Sequence, residues 1–373
     1  MDSASDDISF VSLGMLVLDE LHLPDGQILR DDIGGSGAWS MLGARIAMGH
    51  PDAQKVGSFI VAGHDFPDSV TQAVRRLGVT LEMMVDPTRE STEASWLLTM
   101  KTRRSCISPS RFSPRLLSYP AICSPRGPSI CYFPLKPSWP KFPRLLSRRQ
   151  AAGIREPTFI VWEPLPWKCT PENLEAHKEA SKLVSVFSPN HLELLGLFGN
   201  AKPNSTDTPN DDGAKSQQAV IKKCGTELFE GVADGAWQGM LVVRCAEMGC
   251  FAKSAAGGGL SNMFRPYHID QKAVVDATGA GNTFLGALAV SLVAAAQKTD
   301  SSEQATQQQE VTAAAPVMGD ASQITETIVR ASVVASFAIE QIGFPDRTLV
   351  AGVERWNGDT FTRRYPLDGG KHR

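Results

Sequence analysis

The sequence predicts an α/β fold, in which a doubly wound, mainly parallel sheet is covered by helices on both faces. Short apolar runs with the composition of buried strands alternate with helix-like segments over most of the 373 residues. The helix-like segments are long enough to act as the crossovers that parallel strands require. These observations favour one large domain over residues 1–373.

Each element follows from local composition. A helix that starts with Pro67 ends before Gly78, as helix boundary signals require. The predicted strands are short, mostly uncharged apolar runs: residues 10–18, 56–61, 158–162, 184–187, 240–245 and the end of a further strand at 274–275. The predicted helices are residues 67–77, 171–182, 282–296 and 324–342. Polar composition predicts loops at residues 201–216 and, as a low-complexity loop, at residues 297–323.

Bulk composition excludes several classes of protein. The net charge of −3 does not favour binding to nucleic acid or to a membrane. The longest apolar run, residues 284–296, is too short to cross a bilayer of about 30 Å. Seven cysteines at irregular spacing match neither a disulfide framework nor a zinc site. We therefore expect a protein of the reducing cytoplasm.

Residues 101–150 differ from the rest of the chain. They contain eleven Lys or Arg, nine Pro and nine Ser, but no Asp or Glu. The frequent prolines oppose both helix and strand interiors. One interpretation is a basic arm that binds nucleic acid or an SH3-like partner. The other is that a retained intron or a frameshift replaces the strand, helix and strand that the α/β alternation requires here.

The clearest chemical motif is the turn at residues 276–282, with the sequence Asp-Ala-Thr-Gly-Ala-Gly-Asn before an apolar helix. Its glycines allow a tight turn and a close approach of the backbone to a ligand. The first N–H groups of a helix lack intrahelical partners and lie at the positive end of its dipole. The turn is therefore predicted to bind an anion, most naturally a phosphate.

This turn resembles the carboxy-terminal signature of the PfkB family of carbohydrate kinases, which includes ribokinase and adenosine kinase. The resemblance extends over most of the chain, because further family landmarks follow in order: residues 13–19, 34–38, 62–66, 188–193, 243–249 and 338–343. The loop at residues 243–249 keeps only the last glycine of the family pattern Thr-x-Gly-x-x-Gly. The resemblance implies a ribokinase-like fold with a small β lid, which we expect to be incomplete because residues 101–150 do not match.

The resemblance also implies the roles of individual residues. The family transfers the γ-phosphoryl group of ATP to a primary hydroxyl, with an anion hole at Gly279, Ala280 and Gly281 and a catalytic base at position 282. Asp19, Gly34, Gly35 and Trp39 take the positions that contact the substrate. The nucleotide positions are Asn190, Glu193, Arg244, Gly249 and Gly343. Glu193 and Asn190 are the expected Mg²⁺ ligands, and Asp276 is the expected ligand of a monovalent cation such as K⁺.

Two substitutions separate this chain from the family pattern. Position 282 is asparagine, whose amide can orient a hydroxyl but has no useful basicity near neutral pH. Residues 34–38 resemble the family's Gly-Gly turn over the substrate, and we call them the substrate turn. Trp39 follows this turn, where the family usually has asparagine. Its indole either stacks on a changed ligand or packs as a core aromatic.

Two functions follow from the resemblance. The first is a kinase for a sugar or nucleoside-like acceptor, slowed by Asn282. The alternative is a non-catalytic nucleotide- or sugar-binding protein with a regulatory or structural role. The sequence resembles a fungal branch related to the killer-maintenance proteins, which also carries asparagine at this position. Because family dimers pair through the lid, the resemblance allows a homodimer through the lid and leaves the oligomeric state open.

Overall fold

The structure is a computed structural model. It describes residues 8–99, 102–105, 130–135, 158–200, 211–232, 237–255, 259–300 and 319–365, with the isolated positions 147 and 151. The chain divides into two compact units. The first unit comprises residues 1–129, 270–291 and 330–373, and the second comprises residues 130–269 and 292–329.

Fifteen strands lie in the described part of the chain. They are β1 (Phe10–Ser12), β2 (Val17–His22), β3 (Ile28–Gly34), β4 (Val56–Gly63), β5 (Thr80–Asp86), β6 (Glu93–Thr99), β7 (Thr102–Ser105), β8 (Ile130–Leu135), β9 (Phe159–Pro164), β10 (Val186–Phe187), β11 (Met240–Arg244), β12 (Cys250–Ser254), β13 (Leu260–Phe264), β14 (Arg347–Val350) and β15 (Val353–Trp356).

The α-helices of the described residues include four of at least 13 residues. In chain order they are α1 (Ser36–Met48), α2 (Asp68–Arg76), α3 (Leu174–Ser181), α4 (His191–Leu197), α5 (Asp211–Val232), α6 (Ala280–Asp300), α7 (Ala321–Ala338) and α8 (Phe361–Arg364).

The first unit contains parallel strands and a separate small sheet. Strands β1, β4 and β5 lie side by side in that order and pair in parallel. The small sheet, which we call the lid sheet, has the order β3-β2-β6-β7. Strand β2 pairs antiparallel with β3 and parallel with β6. A third, two-stranded sheet is formed by β14 and β15.

Helices α1 and α6 approach each other closely within the first unit. A Cβ on Gly43 would overlap the backbone of Thr283, and one on Gly286 would overlap the backbone of Ser40. The two helices therefore touch through main-chain atoms at two reciprocal points. Ser40 also bonds to Ser12 at the end of β1, with 2.8 Å between the two Oγ atoms.

A buried arginine ties α1 to the carboxy-terminal hairpin. The Arg45 side chain donates to the carbonyl of Leu77 at 2.6 Å and pairs with the Glu354 carboxylate. Burial lowers the pKa of Arg45, although the bonds and charge of Glu354 oppose this effect. Glu354 also accepts from Arg347 Nε at 2.5 Å. The buried charge is paired and hydrogen-bonded, and these interactions offset part of its desolvation.

The second unit is built on a sheet with the order β13-β12-β11-β10-β9-β8. Strands β8 to β11 pair in parallel, whereas β12 and β13 form an antiparallel extension. Helices pack on this sheet through a shared apolar core, which contains Trp162, Phe187, Leu194, Phe229, Trp237 and Phe251. Within this core, the buried indole Nε1 of Trp237 donates to the Val184 carbonyl at 2.8 Å.

The predicted α/β class is confirmed, with corrections to several elements. Residues 10–18 form two strands, β1 and β2, which belong to different sheets. Residues 274–275 are not a strand, because the N–H groups of Val275 and Asp276 both donate to the one carbonyl of Ile339.

Three predicted loop boundaries are also corrected. Residues 211–216 are helical, since two aspartates at the start of α5 favour a helix amino terminus. Residues 297–300 continue α6, and residues 321–323 begin α7. Within residues 101–150, the structure describes strands β7 and β8, and most of that segment lies outside the described residues.

Candidate functional site

The predicted anion-binding turn lies in the first unit, at the start of α6. The helix begins at Ala280, two residues earlier than predicted, so Asn282 is its third residue. Gly279 precedes the helix with a φ of +80°, a conformation that favours glycine. Asp276 is buried, and its Oδ1 accepts the Thr278 N–H at 3.0 Å. The carboxylate therefore fixes the turn from within, while Asn282 is half-buried.

Trp39 packs directly beneath this turn. Its ring atoms occupy the space that a Cβ on Gly279 would need, and the side chain is only 3% exposed. On the other side, its ring lies 4.8 Å from that of Phe344, measured between centroids. The indole N–H has no hydrogen-bond partner in the described part of the chain. This geometry favours the packing interpretation of Trp39 over ligand stacking.

The predicted substrate residues come together at the same end of the unit. Gly34 and Gly35 precede α1, and Gly35 has a φ of +91°. Asp19 on β2 is buried, and its carboxylate lies against Gly34 where a Cβ would otherwise be. The indole Nε1 of Trp96 donates to Asp19 Oδ1 at 2.9 Å. Trp96, which sequence reasoning missed, therefore holds the predicted substrate carboxylate.

Gly343 also lies on this side. Its φ is +75°, and a Cβ there would come within 2.6 Å of Asp32 Oδ1 on β3. The next residue, Phe344, is the one that contacts Trp39. Gly343 is thus placed beside the lid sheet and the substrate turn, within the same unit as the anion-binding turn.

The other predicted nucleotide residues lie in the second unit. Asn190 and Glu193 form a capping box at the start of α4: Asn190 N–H donates to Glu193 Oε2 at 2.7 Å, and Glu193 N–H donates to Asn190 Oδ1 at 2.9 Å. This reciprocal pattern satisfies two of the donors at the helix start. Both predicted Mg²⁺ ligands are therefore already engaged with each other.

Arg244, at the end of β11, connects two carboxylates in the same unit. Its Nη1 lies 2.6 Å from Glu163 Oε1, and its Nη2 lies 3.6 Å from Glu193 Oε2. Nη2 also donates to the Ser188 carbonyl at 3.0 Å. We call Glu163, Asn190, Glu193 and Arg244 the β11 charge cluster. All three charged side chains are largely buried, so their mutual interactions are weakly screened.

The electrostatics of the cluster are dominated by burial. Burial raises the pKa of Glu193 to about 7, although the charge of Arg244 lowers it, and the neighbouring Glu163 raises it further. The Asn190 N–H acts in the opposite direction because it stabilises the carboxylate. The Arg244 guanidinium and the Asn190 N–H therefore both stabilise the ionised form of Glu193 against the effect of burial.

The loop after β11 carries two residues with positive φ. Ala246 has a φ of +50° and occupies the first glycine position of the family pattern Thr-x-Gly-x-x-Gly. Gly249, the last glycine, has a φ of +87°, and a Cβ there would overlap the Phe264 carbonyl. The loop closes through a bond of 2.7 Å from Cys245 N–H to the Gly249 carbonyl. The loop therefore forms a closed turn with an alanine at one of its two left-handed positions.

Among the described residues, no group of three or more His, Cys, Asp or Glu is arranged to hold a metal ion. The helices of the same residues include none that is long and apolar enough to span a bilayer.

Comparison with known proteins agrees with the sequence resemblance. Residues 164–344 match the pfkB family of carbohydrate kinases. An uncharacterized protein of Schizosaccharomyces pombe is 25% identical over 98% of this chain and 93% of its own length. The protein MAK32 of Saccharomyces cerevisiae is 22% identical over 97% of this chain and 92% of its own length. The predicted relation to the PfkB family and to its fungal branch is confirmed.

Solved structures support the fold. Ribokinase from Giardia lamblia superposes with a TM-score of 0.63 and 15% identity, covering 91% of this chain and 94% of its own. Adenosine kinase from Anopheles gambiae gives a TM-score of 0.57 at 13% identity, with 90% and 97% of the two chains covered. The predicted ribokinase-like fold is therefore confirmed.

Proposed function

We propose that this chain, a relative of the PfkB carbohydrate kinases, binds ATP and transfers its γ-phosphoryl group slowly to a primary hydroxyl of a sugar or nucleoside-like molecule. The observation that carries the proposal is the turn at residues 276–282, which begins α6 in direct contact with the substrate turn through Trp39. An anion-binding helix start beside an acceptor-binding turn suits phosphoryl transfer.

The proposed reaction needs only positioning and charge stabilisation from most of these residues. The acceptor oxygen forms a bond to the γ-phosphorus while the bond to the β-phosphate oxygen breaks, and ADP leaves. The N–H groups of Gly279, Ala280 and Gly281 stabilise the negative charge on the transferring group. Asp19, held by Trp96, accepts a hydrogen bond from another acceptor hydroxyl. Asp276 is the proposed site of a monovalent cation.

Asn282 sets the rate in this proposal. Its amide orients the acceptor hydroxyl but cannot take the proton, which passes to solvent as transfer proceeds. Loss of a general base costs about 10²–10⁴ in rate. We therefore expect measurable ATP binding together with very slow turnover.

The test is the Asn282→Asp variant, assayed with ATP and a panel of sugars and nucleosides. We expect a gain of about 10²-fold or more in phosphoryl transfer, with ATP affinity by calorimetry changed little. Asn282→Ala is the matched control, because it removes the amide without supplying a base. A wild-type rate equal to that of Asn282→Asp would show that position 282 does not limit the reaction.

The alternative is a non-catalytic nucleotide- or sugar-binding protein. Two observations favour it: the asparagine at position 282 and the burial of Trp39 where the family has a ligand-binding amide. In that case ATP binds, but neither the wild type nor Asn282→Asp transfers phosphate to any acceptor in the panel. A cytoplasmic location and a dimer through the lid sheet remain part of the proposal, to be checked by cell fractionation and light scattering.

A further inference from the structure

The β11 charge cluster contains its own cation. Arg244 Nη1 is 2.6 Å from Glu163, and Nη2 is 3.6 Å from Glu193. The Arg244 main chain donates its N–H to the Pro189 carbonyl at 3.0 Å, and the guanidinium donates through Nη2 to the Ser188 carbonyl at 3.0 Å. Two carboxylates and one backbone carbonyl thus hold the Arg244 guanidinium in place.

The same residues fit a divalent cation poorly. Mg²⁺ requires near-octahedral oxygen ligands at about 2.0–2.1 Å and gives up its waters reluctantly. Here Glu193 Oε2 accepts from Asn190 N–H, and Asn190 Oδ1 accepts from Glu193 N–H. The Glu163 carboxylate faces Arg244. A cation that approached these oxygens would also be repelled by the guanidinium.

Arg244 occupies the threonine position of the family's nucleotide loop, so the substitution changes both charge and reach. A guanidinium offers several planar donors and binds phosphate oxygens well, even when it also pairs with a carboxylate. We propose that Arg244 takes the place of the divalent cation at the β11 charge cluster, so that this chain binds nucleotide without Mg²⁺. The nucleotide part of this inference rests on the proposed function.

The first test uses Mn²⁺ alone, followed by electron paramagnetic resonance. We expect no Mn²⁺ bound by the wild type at the cluster. Arg244→Thr should bind Mn²⁺ at least about tenfold more tightly, because one repelling charge is lost and two carboxylates are released. Adding Glu193→Gln should abolish the acquired site. Arg363→Thr is the matched control, since it removes an exposed arginine of the first unit.

Removing Arg244 leaves two carboxylates close together, so thermal unfolding must show that the variant folds. If Arg244→Thr does not fold, the double variant Arg244→Thr with Glu163→Gln is used in its place, because it removes one positive and one negative charge together. Mn²⁺ bound by the wild type and lost in Glu193→Gln would overturn the inference without use of any Arg244 variant.

The second test measures ATP affinity of the wild type by calorimetry, with Mg²⁺ and with EDTA. We expect the dissociation constant to change less than about threefold, a difference below 1 kcal/mol. A loss of more than about tenfold in EDTA would overturn the inference while leaving the proposed function intact. If ATP does not bind under either condition, the proposed function fails, and the Mn²⁺ result still decides the role of Arg244.

Discussion

At the scale of single residues, Trp39 determines how the substrate turn differs from the family pattern. Its ring fills the space under Gly279 and contacts Phe344. An asparagine at this position would be much smaller and would leave part of that space empty. The indole therefore supports the turn from below, and its role can be tested through stability as well as ligand binding.

We predict that Trp39→Ala lowers the free energy of unfolding by about 3–5 kcal/mol, because it creates a cavity beneath the turn. Trp167→Ala is the control: Trp167 is 63% exposed, so its removal should change stability by less than about 0.5 kcal/mol. Urea denaturation measures both. Equal stability losses in the two variants would contradict the packing role of Trp39.

A substitution at Ala246 is predicted to increase stability. Its φ of +50° is strained for a residue with a Cβ. Ala246→Gly should therefore raise the free energy of unfolding by about 0.5–1 kcal/mol. The same change at Ala219, an exposed position inside α5, should lower it by about 1 kcal/mol. Thermal unfolding measures both changes. If both variants are less stable than the wild type, residue 246 is not strained.

Single residues can be singled out from the sequence where a motif carries the information. The special positions of Asn282 and Trp39 are visible in the sequence because flanking glycines define the turns. The hydrogen bond between Trp96 and Asp19 joins residues 77 positions apart in the sequence, so no local sequence pattern predicts it. The pairing of Arg244 with Glu163 is equally hidden, since it depends on the ends of two different strands.

At the scale of elements, the contact between α1 and α6 has the clearest consequence. Gly43 and Gly286 let the two helices touch through backbone atoms. We predict that Gly286→Ala lowers the free energy of unfolding by about 3 kcal/mol, because its Cβ would overlap a main-chain carbonyl that cannot rotate away. It should also weaken ATP binding, since α6 would shift away from α1.

Gly352→Ala is the control for this change. Nothing lies within 4 Å of a Cβ at Gly352, and its φ of +78° leaves only backbone strain of roughly 1 kcal/mol. Its ATP affinity should equal that of the wild type. If Gly286→Ala unfolds at the same urea concentration as the wild type, the close approach of α1 and α6 is not required for stability.

Element boundaries could be predicted only in part. Strong apolar runs located most of the parallel strands, because burial on both faces leaves a continuous signal. Strand β3, with the sequence Ile-Leu-Arg-Asp-Asp-Ile-Gly, carries charges and was missed. Its pairing with β2 depends on tertiary contacts that composition does not encode.

At the scale of the whole molecule, buried histidines should shape the dependence of stability on pH. Burial lowers the pKa of His177 below its usual value near 6.5, although its bond to the Asn173 carbonyl opposes this. The unfolded state therefore takes up the proton at a higher pH than the folded state. The stability from this residue is present above about pH 6.5 and is lost as the pH falls below it.

We predict that the melting temperature of His177→Gln falls less between pH 7 and pH 5 than that of the wild type. His268→Gln is the control, because His268 lies at the half-exposed surface of the second unit. Parallel pH profiles of wild type and His177→Gln would rule out a proton-linked contribution from His177.

The order of elements along the chain predicted the fold class, because alternating strands and helices restrict the topology to a parallel α/β arrangement. Residues 101–150 remained the exception. Composition alone gives no strand signal there, yet β7 pairs with β6 and β8 pairs with β9. Whether this segment binds a partner or arises from a misread frame stays a prediction, to be decided by sequencing the transcript.

The reciprocal glycine contacts between α1 and α6 have a consequence for how this protein can diverge. The main-chain contacts at Gly43 and Gly286 hold the substrate turn and the predicted anion-binding turn in register, and the indole of Trp39 fills the space between them. Neither of these glycine contacts involves the side chain at position 282, which is half-buried. A lineage can therefore exchange the residue at position 282 and still inherit the same scaffold.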